Sequence, residues 1–135
     1  MRKLKLQVQI SVDGYISGPN GEMDGLVWNR DDKLKKYVNE LTESVDTILL
    51  GRKMTEGFVS HRSEVMTKPD DPDYAFAKKM IETPKVVFTK KLNKSKWINT
   101  DIAKGDLTDE LNKLKTQWER RMSLFMVAPH LTLHW

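Results

Sequence analysis

Val45 to Leu50 is a short apolar run of strand length, and Gly51 ends it where Arg52-Lys53-Met54-Thr55 can open a helix. A strand delivered straight into a helix is the building step of an α/β sheet, and the rest of the chain continues the pattern. Leu4 to Val12 alternates apolar and polar residues with period two, which predicts a half-buried strand. Asp13-Gly14 breaks it, and Gly18-Pro19-Asn20-Gly21 marks a surface loop. Asp31 or Asp32 can cap a helix with Leu34, Tyr37, Val38 and Leu41 on one face. The helix that starts within Arg52–Thr55 is expected to fade at Gly57. Lys68 to Asp73 reads as a polar loop, and Pro72 suits the first turn of a third helix carrying Phe76, Ala77, Met80 and Ile81. Pro84 closes that helix before a strand at Lys85–Thr89. A further short strand is expected at Trp97–Ile102, and Asp106 leads into a helix with Leu107, Leu111 and Leu114 on one face. Strands alternating with helices predict one α/β domain of three layers, with a mostly parallel central sheet and helices on both faces.

Charge and composition narrow the function. The 135 residues suffice for one domain with a real core. Net charge is +4, but the 23 basic and 19 acidic residues are interspersed, without a basic–aromatic stripe. That pattern favours a basic site for an anionic small molecule over nucleic acid as the partner. No apolar run reaches the length of a membrane span, and no signal-peptide segment opens the chain, so no membrane partner is expected. The absence of cysteine excludes disulfides and thiolate metal sites and fits a reducing cytoplasm. His61, His130 and His134 stand in a polar loop and an unusual tail with no carboxylate–histidine pattern, so no metal site is expected. Trp28, Met54 and Met66 read either as pocket lining or as core.

In a parallel sheet, ligands bind beyond the carboxyl ends of the strands, and three segments are candidates there. At Gly51-Arg52-Lys53-Met54-Thr55, glycine lets the backbone approach an anion, helix amides face it, and two cations stand by. The same residues also read as an ordinary strand–helix turn with solvated cations. Phe88-Thr89-Lys90-Lys91 puts a hydroxyl and two ammonium groups just past a strand, where a second phosphate could sit; such lysines are also common on plain surfaces. In Ser11-Val12-Asp13-Gly14-Tyr15-Ile16-Ser17, Asp13 is either a site carboxylate or a turn residue. Asp24 and Asp31 are further carboxylates with loop and cap character.

Together, Ile10–Ser17, Ile48–Thr55 and Val86–Lys90 follow the order and approximate spacing of the dihydrofolate-reductase-like family. The nearer branch is the C-terminal reductase domain of bifunctional riboflavin biosynthesis proteins. Pro69–Ala75 and Pro84–Thr89 resemble its small stand-alone bacterial members, and the resemblance spans about residues 1–116. It implies an NADPH-dependent oxidoreductase that passes hydride to a pteridine- or pyrimidine-like small molecule, as dihydrofolate reductase or 5-amino-6-(5-phosphoribosylamino)uracil reductase does. Gly51, Arg52, Lys53 and Met54 would then hold phosphate. Thr89 and Lys90 would hold the adenosine-phosphate end, Ile16 and Ser17 would flank the nicotinamide, and Asp13 with Gly14 would face the substrate.

After Gln117 the resemblance stops. Residues 1–117 read as an incomplete domain and 118–135 as an atypical tail holding two of four tryptophans and two of three histidines. The family would place here a strand ending in Tyr-Gly-Gly, then a helix and further strands. Back-translated from Met122 as ATG TCA TTG TTT ATG GTG GCG CCA CAC and read from the third base, the tail yields Val-Ile-Val-Tyr-Gly-Gly-Ala-Thr. A base lost near codons 117–121 would produce that pattern; a genuine lineage-specific tail is the alternative, with Leu124–Ala128 apolar enough to occupy the strand. The expectation is reduced or lost activity in a self-associating chain, a dimer, that lacks the C-terminal strands. The other reading is a non-catalytic remnant that binds nucleotide weakly.

Overall fold

The computed structural model describes residues 3–7, 12–15, 18–20, 31–116 and 123–127. In chain order they form β1 (Lys3–Gln7), α1 (Asp32–Glu43), β2 (Val45–Gly51), α2 (Arg52–Val65), α3 (Tyr74–Glu82), β3 (Lys85–Phe88), β4 (Thr100–Ala103), α4 (Leu107–Thr116) and β5 (Ser123–Val127). The strands make one sheet in the order β1-β5-β2-β3-β4, and every pairing in it is parallel. Side chains alternate along β2, so Ile48 and Leu50 enter one core while Leu49 enters another. The first core adds Val45, Phe58, Met80 and Val87, covered by Leu41 of α1, Met54 and Val59 of α2, Phe76 of α3 and Trp97. The second joins Leu49, Phe88 and Ala103 to Leu107, Leu111 and Leu114 of α4. β2 is therefore buried on both faces, which accounts for the consecutive apolar residues Ile48, Leu49 and Leu50. The three-layer α/β architecture expected from the sequence is the one present.

Several boundaries differ from the sequence reading. α2 does not fade at Gly57 but runs 14 residues to Val65. Buried Phe58 ties it to the core, and Arg62 stacks 3.9 Å from the Phe58 ring centroid, so packing overrides the glycine's weak propensity. α3 starts at Tyr74 with Asp73 as N-cap, leaving Pro72 in the loop rather than in the first turn. β4 starts at Thr100 because Trp97 turns into the first core and Asn99 takes a φ of 49°.

β1 is described from Lys3 to Gln7; residues 8–11 of the expected strand lie outside the described residues, and Val12 stands in a turn. Its burial also reverses expectation. Leu4 and Leu6 are 40% and 60% exposed, while Lys5 is half-buried and donates to the Leu41 carbonyl (3.2 Å) and Ser44 Oγ (2.8 Å). Among the described residues α4 packs only over the β2–β3–β4 part of that face. β5 lies between β1 and β2, with Leu124 in register with Leu4 and Thr47. Part of the atypical tail thus fills a central strand position.

Candidate functional site

Parallel pairing brings all five carboxyl ends to one edge. Val127 is in register with Gln7 and Leu50, Gly51 with Phe88, and Phe88 with Ala103. The turn after β2 and the turn after β3 are therefore neighbours at that edge.

Gly51 is the N-cap of α2, with φ −78° and ψ 148°, a conformation open to any residue. No atom lies within 4 Å of where a Cβ would stand, so neither strain nor crowding demands glycine here. What glycine leaves is access to the backbone. The first turn of α2 holds no acidic residue, and its cap offers no side-chain oxygen to the helix amides. Arg52 is half-buried and Lys53 exposed. Met54 packs on the first core, so its main chain rather than its side chain faces this turn. Buried Thr55 donates its hydroxyl to the Gly51 carbonyl at 2.9 Å, fixing the strand–helix junction.

Glu56, one position beyond the first turn of α2, carries a carboxylate that is paired. Glu56 Oε2 accepts from Lys96 Nζ at 2.8 Å and from Trp97 Nε1 at 3.1 Å. The Lys96 hydrogen bond, and then that of Trp97, hold the Glu56 carboxyl below the usual range. The same contacts tie α2 to the loop following Thr89.

Thr89, only 5% exposed, accepts at Oγ1 from the Lys91 and Leu92 amides at 3.1 and 3.4 Å, and its own amide donates to the Ala103 carbonyl. Lys90 is exposed beside it. Phe88, Thr89, Lys90, Ala103, Asp106 and Leu107 line a cleft of about 80 Å³ between the β3 and β4 ends, with Gly105 on its rim. Sequence reasoning missed the Gly105-Asp106 wall. The signal was present, since Gly105-Asp106 also stands between a strand and a helix, with Asp106 rather than the glycine as the cap.

Other expectations fall elsewhere. Asp13 lies on an exposed turn, and Gly14 needs its glycine for a φ of 86°. Ile16 and Ser17 lie outside the described residues, as do Asp24, Trp28, His130 and His134. Asp31 is occupied as N-cap of α1, accepting the Leu34 amide at 2.8 Å. His61 is not in a loop but on the exposed surface of α2. Among the described residues, no three His, Asp or Glu side chains gather as a metal site, and no helix is long and apolar enough to cross a membrane.

The phosphate-holding half of NADPH fits what is described: an accessible glycine backbone, unacidic helix amides, two cations, and a buried hydroxyl beside Lys90. Comparison with known proteins supports the architecture. YyaP, an uncharacterized protein of Bacillus subtilis (strain 168), is 30% identical over 120 residues, covering 84% of this chain; the chain spans only 57% of that relative's length. A protein of Shewanella sp. PV-4 assigned to riboflavin biosynthesis superposes with a TM-score of 0.60 at 21% identity, over 95% of this chain and 65% of the other. A Thermotoga maritima diaminohydroxyphosphoribosylaminopyrimidine deaminase/5-amino-6-(5-phosphoribosylamino)uracil reductase superposes at 0.54 and 17% identity, over 94% of this chain and 39% of the other. These two structures share the fold. The RibD C-terminal domain profile matches residues 2–132, through all five strands and into the tail, and the chain belongs to that family.

Proposed function

We propose that this chain is an NADPH-binding reductase domain acting on a pteridine- or pyrimidine-like small molecule. Gly51, Arg52, Lys53 and the Met54 main chain hold pyrophosphate, and Thr89 and Lys90 take the adenosine-phosphate end. The loop containing Asp13, Ile16 and Ser17 adjoins the nicotinamide and the substrate. Bound NADPH would supply hydride; the chain's part is to fix the two rings against each other. The observation supporting this reading is Gly51, a glycine that neither its backbone angles nor its neighbours require, at the head of a helix without acidic residues in its first turn. The uracil reductase named for the Thermotoga maritima protein is the model for the substrate class. We further propose a cytoplasmic homo-oligomer with no nucleic-acid or membrane partner.

A second reading, a non-catalytic chain that binds nucleotide weakly, is favoured by Ala128-Pro129 standing after β5 where the family resemblance calls for paired glycines. Fluorescence titration with NADPH, followed by assay with a pterin and a ribosylaminopyrimidinone, separates them. Micromolar binding with turnover supports the reductase, and absence of binding at millimolar NADPH overturns it. Gly51→Ala sharpens the test. Alanine adopts the same backbone freely, so unfolding should stay within about 0.5 kcal/mol of wild type. NADPH should nonetheless bind about tenfold more weakly, a loss of roughly 1.4 kcal/mol.

A further inference from the structure

The cleft at the β3 and β4 ends is lined by opposite charges, Lys90 from the turn after β3 and Asp106 from the turn after β4, together with Thr89. Thr89 is 95% buried; its oxygen accepts two amides, while among the described residues its hydroxyl hydrogen meets no acceptor. Thr89 lines the cleft, and a buried hydroxyl with a spare hydrogen there suits an incoming oxygen. Asp106 is held firmly, because Oδ1 accepts from the Thr108 and Asp109 amides at 3.0 and 3.3 Å as the cap of α4. Its second oxygen has no partner among the described residues. A fixed carboxylate at a strand end accepts well from a ribose hydroxyl and repels a phosphate in the same place.

We propose that Asp106 is a specificity-determining residue of this cleft, opposing Lys90 so that the chain discriminates weakly between a ribose 2′-phosphate and a free 2′-hydroxyl, and accepts NADH as well as NADPH. The proposal rests on the nucleotide-binding reading above.

The test is Asp106→Asn in the full chain, because asparagine caps a helix as well as aspartate while it removes the charge and turns the free oxygen into an amide donor. Dissociation constants would be measured for NADPH, NADH, and the fragments 2′,5′-ADP and 5′-AMP, which report this cleft without the nicotinamide end. Asp106→Asn should raise the preference for 2′,5′-ADP over 5′-AMP, and for NADPH over NADH, by about tenfold at low salt, with the effect shrinking at high salt. Lys90→Gln should move the ratio the other way. Asp109→Asn, which removes an exposed charge nearby but outside the cleft, should leave it unchanged. Nucleotides that bind with a ratio unmoved by Asp106→Asn, or moved equally by Asp109→Asn, overturn the proposal alone. Failure of every nucleotide and fragment to bind overturns the nucleotide reading and this proposal together.

Discussion

Lys5, Lys79 and Lys85 direct their ammonium groups at the carboxyl ends of helices. Lys79 Nζ donates to the Thr42 carbonyl at 2.6 Å and Lys5 to that of Leu41, both at the end of α1. Lys85 is 1% exposed and donates to the carbonyls of Met80, Ile81 and Thr83 at 3.0, 2.7 and 2.7 Å, closing α3 where Pro84 supplies no amide. Part of this chain's excess of basic residues thus serves helix ends, which no charge count reveals. Lys85→Met should cost about 2 kcal/mol at neutral pH by leaving those carbonyls without their donor, read by chemical denaturation. Burial also pushes the Lys85 ammonium down to about 8 from 10.5. The folded state therefore binds fewer protons than the unfolded one between those values, so this residue's contribution to stability rises with pH from about 8 and levels off near 10.5. The stability difference between wild type and Lys85→Met should climb through that window; a flat difference would contradict the assignment.

At the scale of elements, what the sequence showed plainly was whatever depended on local pattern. The Val45–Leu50 run, the Asp31 cap and the α3 face of Ala77, Met80 and Ile81 all follow from periodicity and capping chemistry. What it hid depended on partners far along the chain. α2 outlasts Gly57 because Phe58 reaches the core, and β1 leaves its leucines exposed because α4 covers other strands. The candidate site divides the same way. Gly51 and Thr89 were readable as punctuation after strands, but Asp106 joined Thr89 only when register aligned the β3 and β4 ends. Gly57 itself has open space around its missing Cβ and sits on the exposed side of α2. Gly57→Ala should therefore stabilise the protein by about 0.5–1 kcal/mol, raising the thermal midpoint; destabilisation would mean that this helix surface is not open.

For the whole molecule, β5 is the element on which the sheet turns. It pairs along five positions with β1 and five with β2, and β1 has no other strand partner among the described residues. A chain ending at Gln117 should lose its cooperative thermal transition, whereas a sharp transition in that variant would show that β1 and β2 hold without β5. Among the described residues the sheet ends at the outer side of β1 with no further strand paired there, and Leu4 and Leu6 stand exposed beside it. An edge with open backbone groups and adjoining apolar side chains invites a second strand, and Lys3 and Lys5 guard it incompletely because Lys5 is turned toward α1. A second copy of the same edge, related by a twofold axis, satisfies both sets of groups at once. Sedimentation at micromolar concentration should therefore show a dimer or larger species. Leu6→Lys adds a charge at the most exposed apolar position of the strand and should shift the population toward monomer without altering the far-ultraviolet circular dichroism. A dimer indifferent to that substitution would move the contact away from β1.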